Sequence, residues 1–248
     1  MSKHLSLRSG NPALSAKTFA DLSKSSSNLM TLDGTVNKSI LSLLILIGVG
    51  SLTFSPDYHW LIWPGFIGGF IVALITIFKK HLAPITVPIY AAFEGAALGA
   101  ISNIYANAFY PGIVMQSILL TVGIFAALLF AYKSRIIAPT QNFKLGIFAA
   151  TGGIFVFYLI SMVFSLFTKQ PPPLLDPTNS SLISIGFSVF VVVIASLNLV
   201  LDFDFIEEGV ERGAPKYMEW YGAFGLLVTL IWLYLEILRL LAKLSSRR

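Results

Sequence analysis

Three carboxylates stand where water is scarce: Glu94 in "IYAAFEGAALGAISN", Asp202 in "SLNLVLDFDFIEEGVERG" and Glu236 in "LIWLYLEILRLL". Each interrupts an apolar run, and an ionisable side chain at membrane depth costs roughly 2.5–3.5 kcal/mol on insertion scales. Such groups normally face a bundle interior or an aqueous path. Two close carboxylates cannot both ionise cheaply, so a proton or a divalent cation competes for the space between them. Glu94 lies ten residues past Pro84, some 15 Å along a helix at ~1.5 Å per residue and hence near the midplane. The chemistry these residues suit is proton-switched cation passage. Glu94, Asp202 and Glu236 are the candidates for path and gate. No standing metal site and no cofactor are expected.

Helical phase divides the acids of the second stretch. Going back from Asp202 by four and three residues meets Asn198, Ala195, Val191, Ser188 and Ser184, a small and polar stripe. Going back from Asp204 meets Val200, Leu197, Val193 and Phe190. Residues two apart point about 200° away from each other, so Asp202 is expected to look inwards, in line with a polar lining of Asn198, Ser188 and Ser184. Asp204, Glu207, Glu208 and Glu211 share a second face, expected to be solvated at the cytoplasmic headgroups. The run is not an EF-hand, which needs glycine at its sixth and glutamate at its twelfth position; counted from Asp202 these are Glu207 and Gly213.

A stripe of Thr229, Trp232, Glu236, Arg239 and Lys243 runs along the last apolar segment. It fits a helix enclosed by others, with Arg239 in the polar lining. It also fits a Glu236–Arg239 pair that snorkels to the interface. Gly95 and Gly99 form a GxxxG pair that lets another helix approach closely.

The elements that must carry these residues are membrane helices. Of 248 residues 56% are hydrophobic and 12% charged, against about 45–50% and about 25% in soluble domains. Seven spans are expected, at about 38–54, 60–78, 86–108, 111–132, 145–167, 182–204 and 217–242, each near the roughly 20 residues that cross the hydrocarbon core. Residues 1–37 read as a flexible polar cytoplasmic tail, 38–243 as the membrane domain and 244–248 as a basic tail. "TKQPPPLLDPTNS" reads as a stiff external connection.

Twelve lysines and arginines fall in the N-terminal tail and the loops on its side, and Lys169 alone in the loops opposite. That bias places the N-terminus in the cytoplasm and the chain in the cell membrane. Arg239, Lys243, Arg247 and Arg248 then break the rule at the far end. A last helix that crosses fully is favoured over one that enters and returns.

Cysteine is absent, and His4, His59 and His81 are far apart, which excludes disulfide scaffolds, cysteine nucleophiles and zinc constellations. There is no HExxH, GxSxG or P-loop, so the residues give no sign of an enzyme. The net charge of +5 sits in tails and loops, where topology and anionic lipid explain it better than nucleic acid does.

Taken together, "RSGNPAL", "MTLDGTVNKS", "FEGAALGAIS", "LDFDFIEEGVERGAPKYMEWYGAFGLL" and "WLYLEILRLL" resemble the bacterial branch of the Bax inhibitor-1 (transmembrane Bax inhibitor motif) family over essentially the whole chain. The resemblance implies six helices around a central seventh and, as in related members, a pH-sensitive calcium leak. There an aspartate late in the sixth helix shares a proton with one in the seventh. By motif these fall on Asp202, or less closely Asp204, and on Glu236, where glutamate stands for the usual aspartate, and the resemblance implies that a calcium ion held at Asp202 and Glu236 would be transient. The linker between them is longer than usual, and straight helices would leave a mismatch of roughly 15 Å. A kinked seventh helix, or Glu94 as partner, would restore a site. The rival reading is a non-conducting regulator that binds other membrane proteins, such as a quality-control protease, through the N-terminal tail. The oligomeric state is not legible.

Overall fold

The computed structural model describes residues 29–170 and 172–247. Most of the expected tail and its partner-binding role therefore lie outside the described residues. Among the described residues the chain is helical, with one isolated β-bridge between Leu29 and Pro215 and no strand. Seven helices are long and apolar enough to cross a bilayer: α1 (Leu32–Leu52), α2 (Ile62–Phe78), α3 (Ala83–Ala108), α4 (Ile113–Lys133), α5 (Gln141–Thr168), α6 (Leu182–Glu211) and α7 (Met218–Ser245). Short 3-10 turns, Pro56–Leu61 and Lys80–Leu82, lead into α2 and α3.

The expected spans are all present, and the main differences are at their polar ends. The first helix starts at Leu32, six residues before the apolar run expected from 38, so 32–37 are helical. Thr31 caps it, its Oγ1 accepting from the Gly34 N–H at 3.0 Å, which satisfies one of the orphan amides of the first turn. The sixth helix continues to Glu211 and carries the acidic run with it. It stops at Gly213, whose φ of +65° suits glycine and not a residue with a Cβ. There the amide of Ala214 closes onto the carbonyl of Gly209 at 3.0 Å.

The described chain falls into two compact units. The first holds 109–170, 172–201 and 229–247: α4, α5, most of α6 and the second half of α7. Its apolar core gathers Ile147 and Ile154 of α5 with Val191, Ile194 and Leu201 of α6. The second holds 29–108 and 202–228: α1, α2, α3, the end of α6 and the start of α7. In it α3 packs on both α1 and α2 through small residues. A Cβ on Gly99 would overlap the Gly50 carbonyl and Thr53 Oγ1, and one on Gly95 would lie 3.1 Å from Leu46 Cα. Absence of side chains is thus what lets the helices meet backbone to backbone, the contact expected of GxxxG.

α7 is the most enclosed of the seven helices, with two-thirds of its apolar stretch buried, and α3 comes next. α7 is also one unbroken helix of 28 residues, about 42 Å at 1.5 Å per residue against a hydrocarbon core of about 30 Å. Its length suits a full crossing, and it contains no turn that would send the chain back.

Candidate functional site

In the second unit Glu94 sits in α3, eleven residues after its start at Ala83, and is 6% exposed. Its carboxylate lies against Gly69 of α2, where any Cβ would overlap Oε1. Among the described residues nothing donates a hydrogen bond to that carboxylate. Tyr90, one turn earlier in α3, is buried, and its ring stands edge-on to Phe224 at 5.1 Å. Among the described residues no cation is within ion-pair distance of that carboxylate. A proton or an arriving cation is what can relieve it.

Asp202 is completely buried. The stripe behind it in α6 is buried with it: Ser184, Ser188, Val191, Ala195 and Asn198 are at most 2% exposed; on the other face Phe190 and Val193 are each 48% exposed, whereas Leu197 is half-buried and Val200, one turn before Asp204, is fully buried. Asp204, Glu207 and Glu208 are half-buried and Glu211 is exposed; Glu208 is paired with Arg212 one turn on. The division of the two aspartates by helical phase is therefore also a division by burial.

Glu236 lies in the first unit, 2% exposed, and is not alone. Tyr158 Oη of α5 donates to its Oε1 at 2.6 Å. Arg239 Nη1 donates to both carboxylate oxygens at 2.8 Å and reaches Tyr158 Oη at 3.3 Å. The guanidinium also stands over the Tyr158 ring, 5.8 Å from its centroid. The Glu236–Arg239 pair is thus present along α7, with its carboxylate buried, its guanidinium partly buried and Tyr158 of α5 bonded to both. In α6 of the same unit, Asn198 Nδ2 donates to Thr151 Oγ1 and to the Ile194 carbonyl, both at 2.8 Å. Lys243, also fully buried, donates to the carbonyls of Leu174 and Ser184 and to Ser188 Oγ. Lys243 is therefore an internal charge and Arg239 a partly buried one, and both lie within α7 and not in a loop, which removes them from the loop count that conflicted with the charge rule.

Glu94 and Asp202 belong to one unit and Glu236 to the other. Among the described residues no group of three or more Asp, Glu or His side chains converges on a point, so no standing calcium cage is built from them.

Residues 11–246 match the family described as Bax inhibitor 1 like. The chain belongs to that family. Comparison with curated proteins gives no match. The Bax inhibitor 1 like match spans all seven helices, so the acids above lie within the family's own domain and not in an appended segment.

One acid escaped the sequence reading. Glu219, in the first turn of α7, is fully buried. Its Oε1 accepts from the Thr31 N–H at 3.1 Å and from Thr31 Oγ1 at 2.8 Å, with Lys216 Nζ 3.4 Å away. Its carboxylate fills the space that a Cβ on Gly34 would need. Glu219 therefore extends the cap of α1 from another helix, with its charge at the positive end of the α1 dipole. The only local sign was an acid just inside an apolar segment; its partner is 188 residues away. Tyr158, 78 residues from Glu236, was equally invisible.

Proposed function

We propose that this membrane protein is a pH-sensitive cation leak of the cytoplasmic membrane, passing calcium, with Glu94, Asp202 and Glu236 as the groups that protonation switches. The supporting observation is that these acids, on three helices each long enough to cross a bilayer, are 6%, 0% and 2% exposed. Charge is retained at that depth mainly where an ion or a proton has to be handled. The three answer to a proton differently. Glu94 has no hydrogen bond to lose among the described residues. Protonating Glu236 cancels the charge that holds Arg239, so two charge-assisted bonds weaken together. Asn198, Ser188 and Ser184 continue the buried polar face of α6 from Asp202.

The test is calcium flux into dye-loaded liposomes containing the purified protein, followed from about pH 6 to pH 8. The protein is expected to pass calcium with a rate that changes across that range. Asp202→Asn and Glu236→Gln are expected to alter both the rate and the profile. A protein that passes no calcium anywhere in the range would sink the proposal, as would two variants whose flux and pH profile match the parent.

A further inference from the structure

Lys243 is a buried charge that this leak leaves unused. It lies two turns beyond Glu236 in α7, fully enclosed, with Nζ 2.6 Å from the Leu174 carbonyl, 3.2 Å from the Ser184 carbonyl and 2.9 Å from Ser188 Oγ. Three acceptors match the three protons of an ammonium and use all of them. None is a carboxylate, and among the described residues no carboxylate is within ion-pair distance of Nζ. The charged groups acting on it from further off are Arg239, Glu236 and Asp176. Glu236 is already matched by Arg239, and Asp176 Oδ1 accepts from the amide and hydroxyl of Thr178. Ser184 contributes one more oxygen, a buried Oγ with no hydrogen-bond partner.

A buried lysine that only held the fold together would ordinarily be paired with an acid. This one instead fills a cluster of carbonyl and hydroxyl oxygens, the ligand type that hard cations take. We propose that Lys243 is a tethered plug, its ammonium occupying an oxygen site formed by Leu174, Ser184 and Ser188 that a permeating cation must use. The idea rests on the leak proposed above and adds to it the residue that keeps the leak low. A loop carbonyl (Leu174) and the first turns of α6 supply the site, and the end of α7 supplies its occupant.

The chain has no cysteine, so Lys243→Cys gives a single thiol. Calcium flux through Lys243→Cys in liposomes is expected to exceed the parent's by about tenfold, because a fixed positive charge no longer opposes the ion at short range. Aminoethyl methanethiosulfonate rebuilds an ammonium at that position and is expected to return the flux to within about twofold of the parent. The neutral methyl reagent is expected to leave it high. If the cysteine variant does not purify as a monodisperse protein, Lys243→Met replaces it, with Lys243→Arg as the charge-retaining control. A conducting parent whose flux is unchanged on neutralising Lys243, or equal responses to the two reagents, overturns the plug. Parent and Lys243 variants that are all silent across the pH range overturn the leak itself.

Discussion

Glu94 and Glu236 are both glutamates buried in apolar helices, yet the two regions that hold them are built on opposite principles. Around Glu94, helices α1, α2 and α3 meet through glycine, backbone against backbone, and the acid fits against Gly69 without a counter-charge. Around Glu236, helices α5 and α7 are joined through side chains, and a guanidinium and a phenol take both carboxylate oxygens. The first arrangement spends its close packing on shape and leaves the acid open to a proton. The second fixes the acid with polar bonds, so a proton there must also undo structure. The two acids, alike in a hydropathy profile, should therefore respond differently to the same substitution.

The contrast can be broken most severely at Arg239. Arg239→Met leaves the Glu236 charge buried and without its partner, and about 3–5 kcal/mol of stability should be lost. Replacing both by apolar residues, Glu236→Leu with Arg239→Met, should recover most of that loss; unfolding of the purified proteins in detergent reads both. A double variant as unstable as the single one would mean that the pair contributes more than mutual neutralisation.

On the glycine side, Gly99→Leu forces a side chain into the Gly50 carbonyl and Thr53, where backbone cannot yield. It should cost about 1–3 kcal/mol, read as a lower apparent Tm. An unchanged Tm would show that α1 and α3 have room that the structure does not.

Tyr158→Phe removes one hydroxyl while Arg239 still serves both Glu236 oxygens. A loss of about 1 kcal/mol is expected in the same measurement. The smallest effect belongs to Glu94→Gln, for which no hydrogen bond among the described residues is lost; stability should change by less than about 0.5 kcal/mol. If Glu94→Gln destabilises as much as Arg239→Met, the distinction drawn between the two acids is wrong.

Much of this was legible in local pattern. Composition and run length yield seven membrane helices because lipid requires every backbone group to be satisfied within its own segment. The inward phase of Asp202 against Asp204 follows from the helical repeat over 184–204; the burial of the Asp202 stripe and the exposure of Phe190 and Val193 agree with it, while Val200 on the Asp204 face is buried as well. The polar first turn of α1 was not legible from hydropathy, since its start is held by Thr31 and Glu219 and not by apolar residues. Nor was the burial of Arg239 and Lys243, which resemble interfacial cations in sequence and are partly and fully buried in the fold.

The sequence alone thus determined the class of fold, the number of helices and which face of α6 is polar, all properties set within a few turns of one segment. Tertiary structure decided which buried groups find hydrogen-bond partners beyond their own helix, because those partners lie 188, 78 and 69 residues away for Glu219, Glu236 and Lys243; the Glu236–Arg239 pair, three residues apart, was legible as one of two readings. Helix periodicity fixes the direction in which a side chain points; only the packing of helices fixes what it meets there.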